Sequence, residues 1–132
     1  MRWLALLFLS AALLLGACGR DLQTAQGVVE EFLDQHYVNI NLQEAKKHTS
    51  GPARAKVDEE IRLTAGQPID ASTRKPRVHY RLLKKEIGEN RARFLYEGTI
   101  RAEDAPEFKR RWLLTARKEE GRWWVSNFNE FD

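Results

Sequence analysis

The sequence predicts an α+β domain, with N-terminal helices packed on a curved antiparallel sheet in a cone-like roll, behind an apolar leader. Three observations predict it. Residues 3–17 are apolar or small except for Ser10. From about residue 22 to residue 65, apolar side chains recur at helical spacing. After Pro76 the period changes to two, with turn residues between the runs. Helices first and hairpin-linked strands afterwards is the order that lays helices on one face of an antiparallel sheet.

The leader comes first in the chain. Met1-Arg2 gives a short positive start, and the 15 residues from Trp3 to Ala17 follow. A run of that length is too short for a bilayer core, which needs about 20 apolar residues. It has the charged, apolar and small-residue regions of a secretory signal. Its end, Leu15-Gly16-Ala17-Cys18, resembles the lipobox of bacterial lipoproteins. The plainer alternative is an ordinary signal followed by a stray cysteine. The resemblance implies cleavage before Cys18 and a diacylglyceryl group on its thiol. Cys18 is the only cysteine, so it has no disulfide partner within the chain. The organisation expected is a signal peptide over 1–17, a lipidated Cys and short tether over 18–21, and one domain over 22–132. The same resemblance implies a bacterial cell envelope location, lipid-anchored and facing the periplasm. Gly19 stands where inner-membrane lipoproteins of enteric bacteria carry Asp, which favours the outer membrane over the inner. Two or more acyl chains hold stably where one does not.

Composition bounds the partners. The chain has 22 Lys and Arg against 19 Asp and Glu, a net charge of +3. Without residues 1–17 it has 115 residues, enough for one core, and a net charge of about +2. So mild a balance gives no reason to expect nucleic acid as a partner.

The first helix spans about 22–39, capped by Asp21 or Thr24. Its stripe is Ala25, Val28, Val29, Phe32, Leu33, His36, Tyr37 and Ile40. Asn41-Leu42-Gln43-Glu44 is a capping-box pattern for a short second helix to about His48. Ser50 caps a third, with Pro52 in its first turn, Val57 and Ile61 on its apolar line, and Gly66 past its end. Residues 67–75 form an irregular connection with room for a short edge strand. Val78, Tyr80 and Leu82 then alternate with His79, Arg81 and Leu83. Gly88-Glu89-Asn90 turns the chain into a run with Ala92, Phe94, Tyr96, Gly98 and Ile100 on one face. A turn over 102–106 leads to Phe108, Arg110, Trp112, Leu114 and Ala116, and Glu119-Glu120-Gly121 leads to a last strand over 123–131.

This order of elements resembles the nuclear transport factor 2-like (cystatin-like) superfamily. The resemblance rests on Val28-Val29-Glu30-Glu31-Phe32-Leu33, on Leu42-Gln43-Glu44-Ala45 and on Gly121-Arg122-Trp123-Trp124-Val125. It implies a cone of helices on a bent sheet over about 22–131. The superfamily holds lipoproteins of unknown function, dehydratases, isomerases and binding or scaffold domains, so fold does not decide function. In its enzymes, acid, base and Tyr or His groups line the space between helices and sheet. The candidate cavity residues here are His36, Tyr37, Tyr80 and Tyr96, with Asp34 beside them. His36 is the best single base, and a hydrogen-bonded His at the core margin is the plainer alternative. No inner strand position carries a carboxylate.

No motif calls for a cofactor. There is no nucleophile elbow, phosphate loop or dinucleotide fingerprint. His36, His48 and His79 lack the close pairing a metal needs. The other sheet face offers an apolar strip of Leu83, Leu95, Leu113 and, by alternation, Trp124 and Phe128. Around it fall Arg81, Lys85, Arg91, Arg93, Lys109, Arg111 and Arg117. An apolar strip with a basic rim suits another envelope protein, a homodimer or a membrane surface. Scattered apolar residues on a solvated face are the alternative, and a one-residue slip would exchange Trp123 and Trp124. The function expected is a non-enzymatic, membrane-anchored binding or scaffold domain. The alternative is a small-ligand or catalytic cavity protein, and an open or filled cone separates the two.

Overall fold

A computed structural model describes residues 20–67 and 74–132. The leader, Cys18, Gly19 and residues 68–73 of the irregular connection lie outside the described residues. The elements are α1 (Ala25–Leu33), continued by a π-helical turn (Asp34–Val38), α2 (Leu42–Lys46), α3 (Gly51–Thr64), β1 (Arg77–Ile87), β2 (Arg91–Arg101), β3 (Phe108–Glu119) and β4 (Arg122–Phe131). The strands form an open antiparallel meander in the order β1-β2-β3-β4, with the three helices packed against one face.

Helix α1 starts at Ala25 because Thr24 caps it. The Thr24 hydroxyl accepts from the Gly27 N–H at 3.0 Å. Asp21 instead closes the turn before it, its carboxylate accepting from the Gln23 N–H at 2.9 Å. That turn lies directly on the helix, since a Cβ at Gly27 would come within 1.8 Å of the Asp21 carbonyl oxygen. Residues Val28, Val29, Phe32 and Leu33 face the sheet and are fully buried. Each such burial contributes about 1.5–3 kcal/mol.

Where the sequence suggests one continuous α-helix to residue 39, the last turn is π-helical. Its wider ring closes with the Asn39 N–H donating to the Asp34 carbonyl at 2.7 Å. It aims two consecutive side chains, His36 and Tyr37, at the core. Tyr37 stacks on Trp112 at 4.1 Å between ring centroids. Ile40 then reverses the chain at φ +52°, a conformation β-branched residues rarely adopt. Asn41 follows and accepts from the Glu44 N–H at 3.2 Å, capping α2. Residues 48–50 cover the β4 edge: the Ser50 N–H donates to the Val125 carbonyl at 2.9 Å and the Val125 N–H to the His48 carbonyl at 2.8 Å. Gly66 follows the end of α3 at φ +88°, where the sequence puts it.

Tight turns join the outer hairpins. Glu120 and Gly121 have φ values of +53° and +76°, the geometry of a two-residue turn that matches strand twist. Gly98 serves packing, because a Cβ there would lie 2.3 Å from the Trp112 indole.

Two β-bulges set which face each side chain takes. In β1 the register shifts between Leu82 and Lys84, and in β4 it shifts opposite Thr115 and Ala116, leaving Ser126 as the extra residue. Beyond a bulge, alternation inverts. Lys85 therefore turns to the helix side, opposite Phe94, and donates to the Gln26 side chain at 3.3 Å. Phe128 turns into the core, 8% exposed and 5.0 Å from the Phe32 ring. Strict alternation in the sequence puts both on the outer face, and the bulges reverse them. Trp123 points inward and Trp124 outward, in the expected register.

Candidate functional site

The space between helices and sheet is occupied by Phe32, Phe94, Tyr96, Trp112 and Leu114, none more than 1% exposed. Trp123 closes one end at 7% exposure. The four predicted cavity residues are part of this packing.

His36 sits on the π-helical turn among Phe32, Tyr37 and Phe128, with ring centroids 5.1, 4.3 and 5.1 Å away. Its Nε2 lies 2.9 and 2.8 Å from the two carboxylate oxygens of Glu60 on α3. A carboxylate only accepts, so Nε2 carries the proton. The other ring nitrogen is buried without a hydrogen-bond partner among the described residues. His36 thus ties α1 to α3 and has no free nitrogen aimed at solvent.

Tyr80 and Tyr96 reach from the sheet to α1. Tyr80 donates to Asp34 at 2.6 Å and Tyr96 to Glu30 at 2.9 Å. The Gln26 amide also donates to Glu30, at 3.0 Å. Burial, and then the facing carboxylates, push both phenols above their ordinary range. Tyr37 is raised too, first by burial and then by Glu130 and Glu60.

Arg20 closes the cluster. Its guanidinium donates to Asp34, to Glu30 at 2.9 Å and to the Tyr80 oxygen at 3.0 Å. Glu31 stands 3.9 Å away. Glu30, Glu60 and Arg20 were not among the predicted site residues. Glu30 and Asp34 are four apart on one helix face, which is the sequence signal that pairs them; the contacts to Arg20, Tyr80 and Glu60 have no local signal. Chemically, the cluster is a set of satisfied donors and acceptors holding α1, β1, β2 and the start of the domain together. A groove of about 860 Å³ lies beside the cone, between residues 39–43 and the end of α3, and none of His36, Tyr37, Tyr80 and Tyr96 lines it. Among the described residues, no three His, Cys, Asp or Glu side chains are grouped as a metal site requires.

The outer face is built from cross-strand rows. Arg77 faces Arg101; His79, Thr99 and Lys109 form the next row; then Arg81, Glu97 and Arg111. Lys84, Leu95 and Leu113 follow, then Glu86, Arg93 and Thr115, then Arg91, Arg117 and Trp124, with Glu119 and Arg122 at the end. These rows hold ten Lys or Arg and three Glu. Glu97 pairs with Arg81 at 3.2 Å and Lys109 at 3.6 Å, and Lys84 with Glu86 at 3.4 Å. The Arg81 guanidinium, foremost, holds the Glu97 carboxyl below its usual range. Among the described residues, Arg91, Arg93, Arg111 and Arg117 form no such pair. Leu95 and Leu113 are directly opposed, and Leu83, 37% exposed, lies beside them at the bulge. Trp124 is two rows away, where the Arg122 guanidinium stacks 3.9 Å from its ring centre. The strip is therefore a three-leucine patch and a separate Trp–Arg pair.

Among the described residues, no helix is long and apolar enough to cross a membrane. No protein-family model matches the chain, and no curated protein matches it at a significant level. Solved structures do. A protein described as a calcium/calmodulin-dependent protein kinase type II association domain from Thiobacillus denitrificans matches with a TM-score of 0.64 at 11% identity, over 81% of this chain and 93% of that one. A SEC-C motif-containing protein from Rhodopseudomonas palustris matches with a TM-score of 0.58 at 16% identity, over 86% and 83% of the two chains. A designed nuclear transport factor 2 protein matches with a TM-score of 0.58 at 12% identity, over 82% and 96%. The chain has the nuclear transport factor 2-like fold, and at these identities the likeness is one of fold.

Proposed function

We propose that this chain is a membrane-anchored envelope lipoprotein whose domain binds or scaffolds a partner close to the membrane, without chemistry of its own. The observation that carries this is the filled cone. Phe32, Phe94, Tyr96 and Trp112 leave no room for a substrate at His36, and the tyrosines spend their hydroxyls on Asp34 and Glu30. The broad accessible surface is the outer sheet face, offered to another envelope protein, a second copy or the membrane itself. The lipobox Leu15-Gly16-Ala17-Cys18 supports the anchor, and Gly19 supports the outer membrane over the inner. Mass spectrometry tests it: the exported protein should begin at Cys18 with a diacylglyceryl mass, and Cys18→Ser should stay unprocessed and unacylated. An exported wild-type protein without that mass refutes the anchor.

A second reading, a small-ligand or catalytic cavity, is favoured by the His36–Glu60 pair, which is the form a base and its orienting carboxylate take. It requires the aromatic packing to open for a ligand. A ligand-induced rise in Tm that disappears in His36→Gln would favour it over the first.

A further inference from the structure

We propose that the outer face of the sheet docks on an anionic lipid bilayer. This rests on the anchored reading above and names the partner of that surface. Three observations carry it.

The first is charge. Ten Lys or Arg against three Glu make this face strongly positive, although the exported chain is almost balanced. By contrast α1 and its π-helical turn carry Glu30, Glu31 and Asp34 and no Lys or Arg. Such a face repels a second copy of itself and attracts a surface of negative headgroups.

The second is register. Arg77 is directly opposite Arg101, and Arg91 directly opposite Arg117. Like charges directly opposed across strands destabilise a bare sheet. Anions between them convert that repulsion into binding. Arg93 and Arg111, neither paired with a carboxylate among the described residues, stand in the rows on either side of Leu95 and Leu113, with Arg91 and Arg117 one row beyond Arg93, so apolar side chains stand where headgroups would part.

The third is the exit of the chain. Arg20 is bound to Tyr80 of the edge strand β1 and to α1. Cys18 is two residues further on, at most about 7 Å of extended chain. The partners of Arg20 lie on the helix side of β1, so the chain leaves at this edge of the sheet, whose outer side carries Arg77, Arg81 and Lys84.

The test uses the full chain, expressed with its leader and reconstituted into phosphatidylcholine vesicles with or without phosphatidylglycerol. Amine labelling reads Lys84 and Lys109 on the sheet and Lys46 and Lys47 by α2. We expect labelling of Lys84 and Lys109 to fall severalfold only with phosphatidylglycerol, to recover at high salt, and to leave Lys46 and Lys47 unchanged. The variant Arg91→Gln, Arg93→Gln, Arg111→Gln, Arg117→Gln should lose this protection with its circular dichroism intact. Each removed charge should weaken attachment about fivefold. Equal labelling on both vesicle types overturns the proposal. So does protection that appears on neutral vesicles, or that follows protein concentration and comes with cross-linked dimers. Retention on neutral vesicles reports the anchor separately. Should the acyl mass be absent, flotation with phosphatidylglycerol vesicles still reads the face.

Discussion

On its inner face the sheet presents Phe94, Tyr96, Trp112 and Leu114, sealed under α1 and bonded to its carboxylates through tyrosine hydroxyls. On the outer face, one residue further along the same strands, stand Arg93, Leu95, Arg111 and Leu113. Every inner polar group that reaches α1 meets a partner of opposite character. On the outer face, arginine faces arginine, and Arg91, Arg93, Arg111 and Arg117 pair with no carboxylate among the described residues. The inner face is built for stability and the outer face against it, and the proposed docking rests on that difference.

The contrast is broken most severely at Trp112. Trp112→Ala should destabilise the domain by about 3–5 kcal/mol, a drop in Tm of more than about 10 °C. Leu113→Ala, its outward neighbour, should stay below about 1 kcal/mol in the same thermal unfolding. Comparable losses for both would erase the distinction. Next is Gly98→Ala, which pushes a methyl onto the indole and should cost about 1–3 kcal/mol, partly recovered when combined with Trp112→Phe.

Tyr80→Phe comes third, at about 0.5–1.5 kcal/mol for a lost hydrogen bond. The same phenols give a pH signature. Their folded-state values lie above the ordinary 10.0. Their contribution is therefore whole below pH 10 and lost as pH rises through the folded values, with tyrosine absorbance changing only on unfolding. His48 gives the acid counterpart on a smaller scale. Burial, foremost, lowers it from 6.5. Its contribution is present above that value and fades as pH falls below it, and His48→Gln should flatten this part of the stability profile. The smallest effect has the opposite sign: Arg117→Thr, which relieves the pair with Arg91, should raise stability by about 0.2–1 kcal/mol. A loss of stability there would mean that the arginines hold the sheet together.

Much of the architecture was legible because it is local. The Thr24 and Asn41 caps, Gly66, the Gly88 and Gly121 turns and the alternation through Phe94, Tyr96, Trp112 and Leu114 each declare themselves within a few residues. The two bulges do not, since an extra Leu83 or Ser126 has no composition that marks it. Counting in twos past them therefore misplaced Lys85 and Phe128. The π-helical turn is equally silent, because one wider ring leaves the apolar stripe of α1 intact. In the candidate site, His36, Tyr37, Tyr80 and Tyr96 could be named from their stripes. Their partners Glu60, Asp34 and Glu30 are fixed by how the layers meet, and Arg20 returns to α1 from beyond a turn that only Gly27 permits.

That Arg20 contact bears on how freely the domain can move once Cys18 is held. A folded unit on a long leash samples all orientations, and any contact it makes must first overcome that rotational freedom. Under the proposed anchor the leash would be Gly19 alone, and the guanidinium behind it is gripped by Asp34, Glu30 and Tyr80. The orientational entropy would then be surrendered within the chain itself, before any contact with the membrane. Cutting the grip with Arg20→Gly would leave the proposed anchor and both sheet faces intact, yet turn a fixed bearing into a swivel.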